Sequence, residues 1–160
     1  MRTHLRRNDE SGQSLVEFAV CVPVLLLVLT GIMTFAVALN NYMVMTNAVS
    51  ASALVLSVDR NNSLTPCQDA SNAFVNAAPT LKASSLKFTY SLNGVSYGPY
   101  TGKTAGSSCT SSSLTTGAAG NLVAGQSAQI TVTYPCNLSV YGHNFVPSCN
   151  LQVQTTEIVQ

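Results

Sequence analysis

One carboxylate stands at the mouth of a long charge-free run. Glu17 is followed by residues 18–39, which are 22 residues without a charged side chain. As a helix that run is about 33 Å long, enough to cross a hydrocarbon core of ~30 Å. An ionisable group at such a place is costly unless it reaches the interface or meets a partner. Gly12 lies five residues before it, behind a short polar leader that carries Arg2, Arg6 and Arg7. Two opposite charges in an apolar bundle offset a cost that each alone would carry. The chemistry open to Glu17 is therefore ion pairing, and no catalytic partner accompanies it.

The other constellations are weaker. Gly94-Val95-Ser96-Tyr97-Gly98 has the G-x-S-x-G pattern of a nucleophile elbow, but that motif needs a strand before it and a helix after it. Here Asn93-Gly94 is a hairpin signal and Pro99 follows. Cys136, His143 and Cys149 lack the short cysteine pair and the fourth ligand of a zinc site. The acids beyond the run, Asp59, Asp69 and Glu157, are scattered and are expected to form no pair. Cysteines carry the remaining chemistry. Cys21 sits alone in the apolar run, whereas Cys67, Cys109, Cys136 and Cys149 all follow it. In an exported chain these four read as two disulfides, with three connectivities open. The shortest closures, Cys67–Cys109 and Cys136–Cys149, are the expected ones.

Elements must position these groups. A single helix is expected over residues 13–58. Past Leu39 the apolar and small residues fall at Phe35, Leu39, Tyr42, Thr46, Val49, Ala53 and Leu56, in steps of four and three. That stripe continues the span as an amphipathic stalk. Pro23 lacks an amide hydrogen and is expected to kink or locally unwind the helix. A turn at residues 59–63 leads to a second helix, with Thr65 as N-cap, Pro66 at its first position and Gln68 closing a capping box. This helix is expected to end at Ala78, with Ala70, Phe74 and Ala77 on its apolar face. The period then changes to two. Leu86, Phe88 and Tyr90 mark a strand, residues 95–100 its hairpin partner, residues 127–134 a third strand and residues 151–159 a last one. Residues 101–121 read as a long surface loop held by Cys109, and residues 135–149 as an irregular segment closed by its cysteines. The fold class is α+β: a long N-terminal helix carrying a small, disulfide-stapled head of one further helix and an antiparallel sheet.

The opening Gly12-Gln13-Ser14-Leu15-Val16-Glu17-Phe18-Ala19-Val20-Cys21-Val22-Pro23 resembles the N-terminus of TadE-like proteins, minor pseudopilins of tight-adherence pilus systems within the type IV pilin superfamily. The likeness continues through Gly31-Ile32-Met33-Thr34-Phe35 and Thr46-Asn47-Ala48-Val49-Ser50-Ala51. It implies a leader over residues 1–12, a membrane and stalk helix over 13–58 and an extracytoplasmic head over 59–160. It also implies that a prepilin peptidase cuts between Gly12 and Gln13. Glu17 would then neutralise the new amine at Gln13 of a neighbouring subunit. The implied partners are the bacterial inner membrane, the peptidase, other pilins packed through the N-terminal helix and the pilus assembly platform. No cofactor and no enzymatic activity are implied.

Composition fits an anchored, exported chain. Charged residues are 8% of the sequence, against about 25% in a typical soluble domain. The net charge of +1 offers no electrostatic footprint for nucleic acid. Arginines precede the run, and the next basic residue is Arg60, so the positive-inside rule puts the N-terminus in the cytoplasm. Two alternatives stay open: an anchored extracytoplasmic binding domain that never polymerises, and a secreted protein cut after Ala36-Val37-Ala38. Mass spectrometry of the purified mature chain separates them. The pseudopilin reading predicts an N-terminus at Gln13; Met1 would mark the simple anchor, and Leu39 the secreted protein.

Overall fold

The structure, a computed structural model, describes residues 9–103 and 109–160. Arg2, Arg6 and Arg7, most of the expected leader, and part of the expected 101–121 loop lie outside the described residues.

Helix α1 (Asp9–Val58) is 50 residues long, or about 75 Å. It begins ahead of Gln13, so Gly12 and Gln13 sit inside continuous helix. Pro23 lies within α1 without ending it, and the expected local unwinding is not present. The missing amide leaves the Ala19 carbonyl without its usual i+4 donor.

Helix α2 (Pro66–Ala77) turns back along α1. Strands β1 (Lys87–Leu92) and β2 (Val95–Thr101) form a hairpin. A single helical turn, α3 (Gly117–Gly120), precedes β3 (Ser127–Pro135). A two-residue ladder, β4 (Ser139–Val140) with β5 (His143–Asn144), leads to β6 (Asn150–Ile158). The main sheet is antiparallel in the order β2-β1-β3-β6. Alternation sets its inner face. Leu86, Phe88, Tyr90 and Leu92 are buried, as are Ala128, Ile130 and Val132, with Val153 from β6. Asn93 and Gly94 take positive φ angles of 49° and 79°, which a two-residue hairpin of this hand requires.

The far end of α1 belongs to this core. Met45, Ala48, Val49, Ala53 and Leu56 are buried in one cluster with Phe74, Phe88, Tyr90 and Ile130. α1 packs on α2, β6 and β3. Small residues at the helix crossing bring the backbones close, and Ser52 Oγ donates to the Ala70 carbonyl at 2.6 Å. Phe74 meets Phe88 edge to face at 5.2 Å. Tyr90 Oη donates to the Cys67 carbonyl at 2.9 Å, satisfying a hydroxyl that would be costly to bury unpaired.

Several local expectations change. The expected stripe is buried only at Val49, Ala53 and Leu56; Phe35, Leu39, Tyr42 and Thr46 are exposed. The docked face lies one residue over, through Met45, Ala48 and Ser52, because the head grips only the last turns of α1. Thr65 makes no side-chain cap bond. The capping box is absent because Gln68 turns toward Asn72 and the Lys103 carbonyl. On α2 the buried face runs through Val75 and Ala78, and Ala77 is exposed. The end of the 101–121 segment is structured. Ser111 donates its amide to the Leu64 carbonyl at 2.8 Å, its Oγ accepts from the Ala119 amide, and Ala118, Ala119 and Leu122 are buried. The β4–β5 ladder gives residues 135–149 more order than the sequence suggested.

Disulfides join Cys67 to Cys109 and Cys136 to Cys149. The first is buried against α2 and closes a sequence separation of 42 residues. Closure of that size contributes about 4 kcal/mol in the chain-entropy picture. The double variant Cys67→Ala/Cys109→Ala is therefore expected to lower the unfolding free energy of the head by about 4 kcal/mol. Denaturant titration checks this. An unchanged midpoint would contradict it.

Candidate functional site

The site is the free part of α1. From residue 12 to the point where the head takes hold, large apolar side chains face outward. Leu15, Phe18 and Met33 are 70%, 70% and 73% exposed. The helix from Gly12 to Val58 is long and apolar enough to cross a membrane, and its most apolar window is not buried by the rest of the protein. A surface this apolar is unusual on a soluble monomer, where exposed patches stay small. Lipid or other apolar helices are the surroundings that such a surface tolerates.

Glu17 is exposed near the start of this helix. Gln13 lies one turn earlier, and its Nε2 donates to Glu17 Oε1 at 3.5 Å, near the outer limit of a hydrogen bond. The i,i+4 spacing of a helix brings the two side chains onto one face. The structure thus places Gly12, Gln13 and Glu17 within two turns at the same end of the molecule. Thr30 and Thr34 turn their hydroxyls back onto carbonyls of the preceding turn, at 2.9 and 3.0 Å for Thr30 and 2.9 Å for Thr34. Their polar atoms are thereby satisfied along the apolar run. Cys21 is free and exposed on the same stretch.

Residues 12–54 match the family model of TadE-like proteins. This N-terminal part of the chain is similar to TadE-like proteins. The match covers the free part of α1 and most of the docked part, and it stops short of α2 and the sheet. Comparison with curated proteins and with solved structures gave no match.

Beyond the TadE-like segment, the other candidates resolve into structure. Gly94 to Gly98 is the β1–β2 hairpin. Gly98 has a φ of 110°, and a Cβ there would meet the Phe88 carbonyl oxygen at 2.6 Å, so its glycine serves backbone approach. Cys136 and Cys149 are bonded to each other, and His143 is exposed on β5. Among the described residues no group of three or more His, Cys, Asp and Glu side chains could hold a metal ion.

One expectation about charge fails. Asp59 and Asp69, ten positions apart in sequence, are brought together by the corner between α1 and α2. Burial, and then the charge of Asp69, push the Asp59 carboxyl from its ordinary 3.8 up to about 6. Asp59 Oδ2 is buried without a hydrogen-bond partner, whereas Asp69 Oδ2 accepts from the Ser63 and Thr65 hydroxyls. The legible signal was the turn itself, which returns the first turn of α2 to the end of α1.

A raised carboxyl pKa means that the folded state holds the proton more tightly than the unfolded chain. Stability from this group is complete below pH ~4 and is lost as pH rises through about 6. Asp59→Asn should therefore stabilise the head at pH 7.5, by on the order of 1 kcal/mol after solvent screening, and have little effect at pH 4. Thermal melts at the two pH values check this. An equal effect at both would contradict it.

Proposed function

We propose that this chain is a minor pilin-like subunit with a structural or assembly role in a tight-adherence pilus or a related type IV-like secretion machine. The TadE-like match over the exposed, apolar end of α1 is the observation that carries this reading. It joins a helix whose outer surface needs apolar company to a family of pilus-associated proteins. In this role the chain is anchored by a single span with its head outside the cytoplasm. A prepilin peptidase acts on it between Gly12 and Gln13, inside the helix. The inner membrane, other pilins and the assembly platform are its partners.

The chemistry of the assembly step lies with Glu17. Cleavage creates an amine at Gln13, and within one subunit Gln13 already lies on the face of Glu17. In a bundle of such helices the carboxylate of one subunit and the amine of the next would pair. Each charge offsets the other's desolvation, and the pairing favours one axial register. Pro23 gives the helix a point of weakened hydrogen bonding at which it bends as neighbours pack. The fold of the head has no part in this pairing, since the first α1 side chains packed on the core, Val44 and Met45, lie far along the helix from Glu17.

Glu17→Gln keeps size and hydrogen bonding and removes the charge. Membrane insertion and both disulfides should be unchanged, because neutralising a membrane carboxylate removes a cost and the head lies far along the helix. Co-purification of partner pilins, at matched membrane levels, should fall at least several-fold. Equal recovery by the wild type and the variant would leave Glu17 as a side chain that merely reaches the headgroups.

A further inference from the structure

The head has two ends, and they differ in charge and polarity. One end is marked by the close of α1, where the Gln160 amide donates to the Ser57 carbonyl at 3.0 Å. Ser127 pairs with Ile158 at this end, and the Asn93 amide reaches the Ser127 carbonyl. From there β3 runs back toward the apolar part of α1. Its nine residues cover about 30 Å, equal to about 20 residues of helix. The other end of the β3–β6 pair, Pro135 opposite Asn150, therefore comes level with the stretch of α1 just past Leu39, near the apolar run. Consistent with this, β4 packs against α1, and Asn41 and Val44 are partly covered.

This near end carries residues 136–149, clasped by Cys136–Cys149. The segment contains no Asp, Glu, Lys or Arg. Tyr141, Phe145 and Val146 are 64%, 71% and 42% exposed. Around it the acids are segregated, and Arg60 stands beside Asp59 at the far end. Asp59, Asp69 and Glu157 lie toward the far end: Asp59 closes α1, Asp69 is tied to Ser63, and Glu157 faces Ala128. Lys87 pairs across the sheet with Thr133, and the Lys82 amide meets Tyr134 Oη, so these two exposed lysines lie at the near end.

We infer that this end of the head rests on the outer surface of the bilayer that α1 spans, with Tyr141, Phe145 and Val146 entering the headgroup region and Lys82 and Lys87 facing anionic phosphates. The inference rests on the membrane-anchor reading of α1. A tyrosine ring belongs at this depth, with one edge apolar and the other wet, and Phe145 and Val146 add apolar area beside it. Basic side chains near an anionic surface add attraction that falls off within a Debye length. A rigid clasp suits the task, because the loop is presented in one shape and loses little freedom on contact. The surface then sets the tilt of the head while the subunit is held in the membrane.

The chain has no Trp, so one introduced indole reports its own depth. The full chain is reconstituted in vesicles of phosphatidylcholine and phosphatidylglycerol, with a fraction of the lipid brominated near the headgroup or deep in the acyl chain. Phe145→Trp and, separately, Tyr141→Trp should lose most of their emission to the shallow bromines and shift to shorter wavelength. Leu27→Trp, in the span, should be quenched by the deep bromines. Val95→Trp, at the far end of the head, should be quenched by neither. Removing phosphatidylglycerol or adding 0.5 M salt should weaken quenching at Phe145→Trp and leave Leu27→Trp unchanged. Quenching at Leu27→Trp without quenching at either loop position overturns the inference and leaves the anchor standing. A blue-shifted but unquenched Phe145→Trp assigns the loop to a protein neighbour and also overturns it. Loss of quenching at Leu27→Trp overturns the anchor and the inference together.

Discussion

One helix has to satisfy two solvents. Along α1 the outward apolar surface of residues 18–39 is compatible with lipid, and the face through Met45, Ala48, Val49, Ala53 and Leu56 is the floor of a protein core. There is no joint between the two. No charge interrupts the helix from Phe18 to Val58, and what changes is the pattern, from apolar all round to apolar on one side. The head is built on this fact. α2 and the sheet close over the last turns of α1, and Ser52 and the small residues around it let α2 approach. Full burial of Met45, Val49 and Leu56 contributes roughly 1.5–3 kcal/mol each. That sum is comparable with the whole stability of an ordinary small domain.

The corner and the staples follow from the same constraint. A helix that supplies one side of the core must end abruptly for the chain to return. The turn after Val58 does this, and the cost is two carboxyls brought close, one of them with a buried oxygen left unpartnered. The hydroxyls of Ser63 and Thr65 serve Asp69 and leave Asp59 unrelieved. Cys67–Cys109 then fixes the start of α2 to the segment that follows the hairpin. Cys136–Cys149 clasps the loop at the opposite end.

Much of this was legible in the residues. The period-two runs at Leu86–Tyr90 and Ile130–Val132, the Asn93-Gly94 turn and Pro66 at the start of α2 are local signals, and local signals survive folding. The stripe on α1 was readable as helical, but which side would be gripped was not. That depends on where α2 and β6 dock, and small residues such as Ala48 and Ser52 carry little hydrophobic signal while permitting the closest approach. The Asp59/Asp69 proximity was hidden for a similar reason: sequence distance conceals what a corner brings together. The order in residues 109–122 was hidden too, because Ser, Thr, Gly and Ala give no periodicity, and it is backbone bonds from Ser111 that fix the segment. That Gly12, Gln13 and Glu17 lie close together on one helix was legible, since their spacing is all that places them.

The central claim is that the end of α1 is part of the head and not a tether to it. Unfolding of the oxidised, exported fragment 40–160 can be set against that of fragment 59–160, using thermal melts followed by near-ultraviolet circular dichroism of the tyrosines. The shared core predicts a cooperative transition for 40–160 and none for 59–160, whose sheet would lack its floor. A cooperative melt of 59–160 at the same temperature as 40–160 would contradict the claim and reduce α1 to an anchor with a stalk.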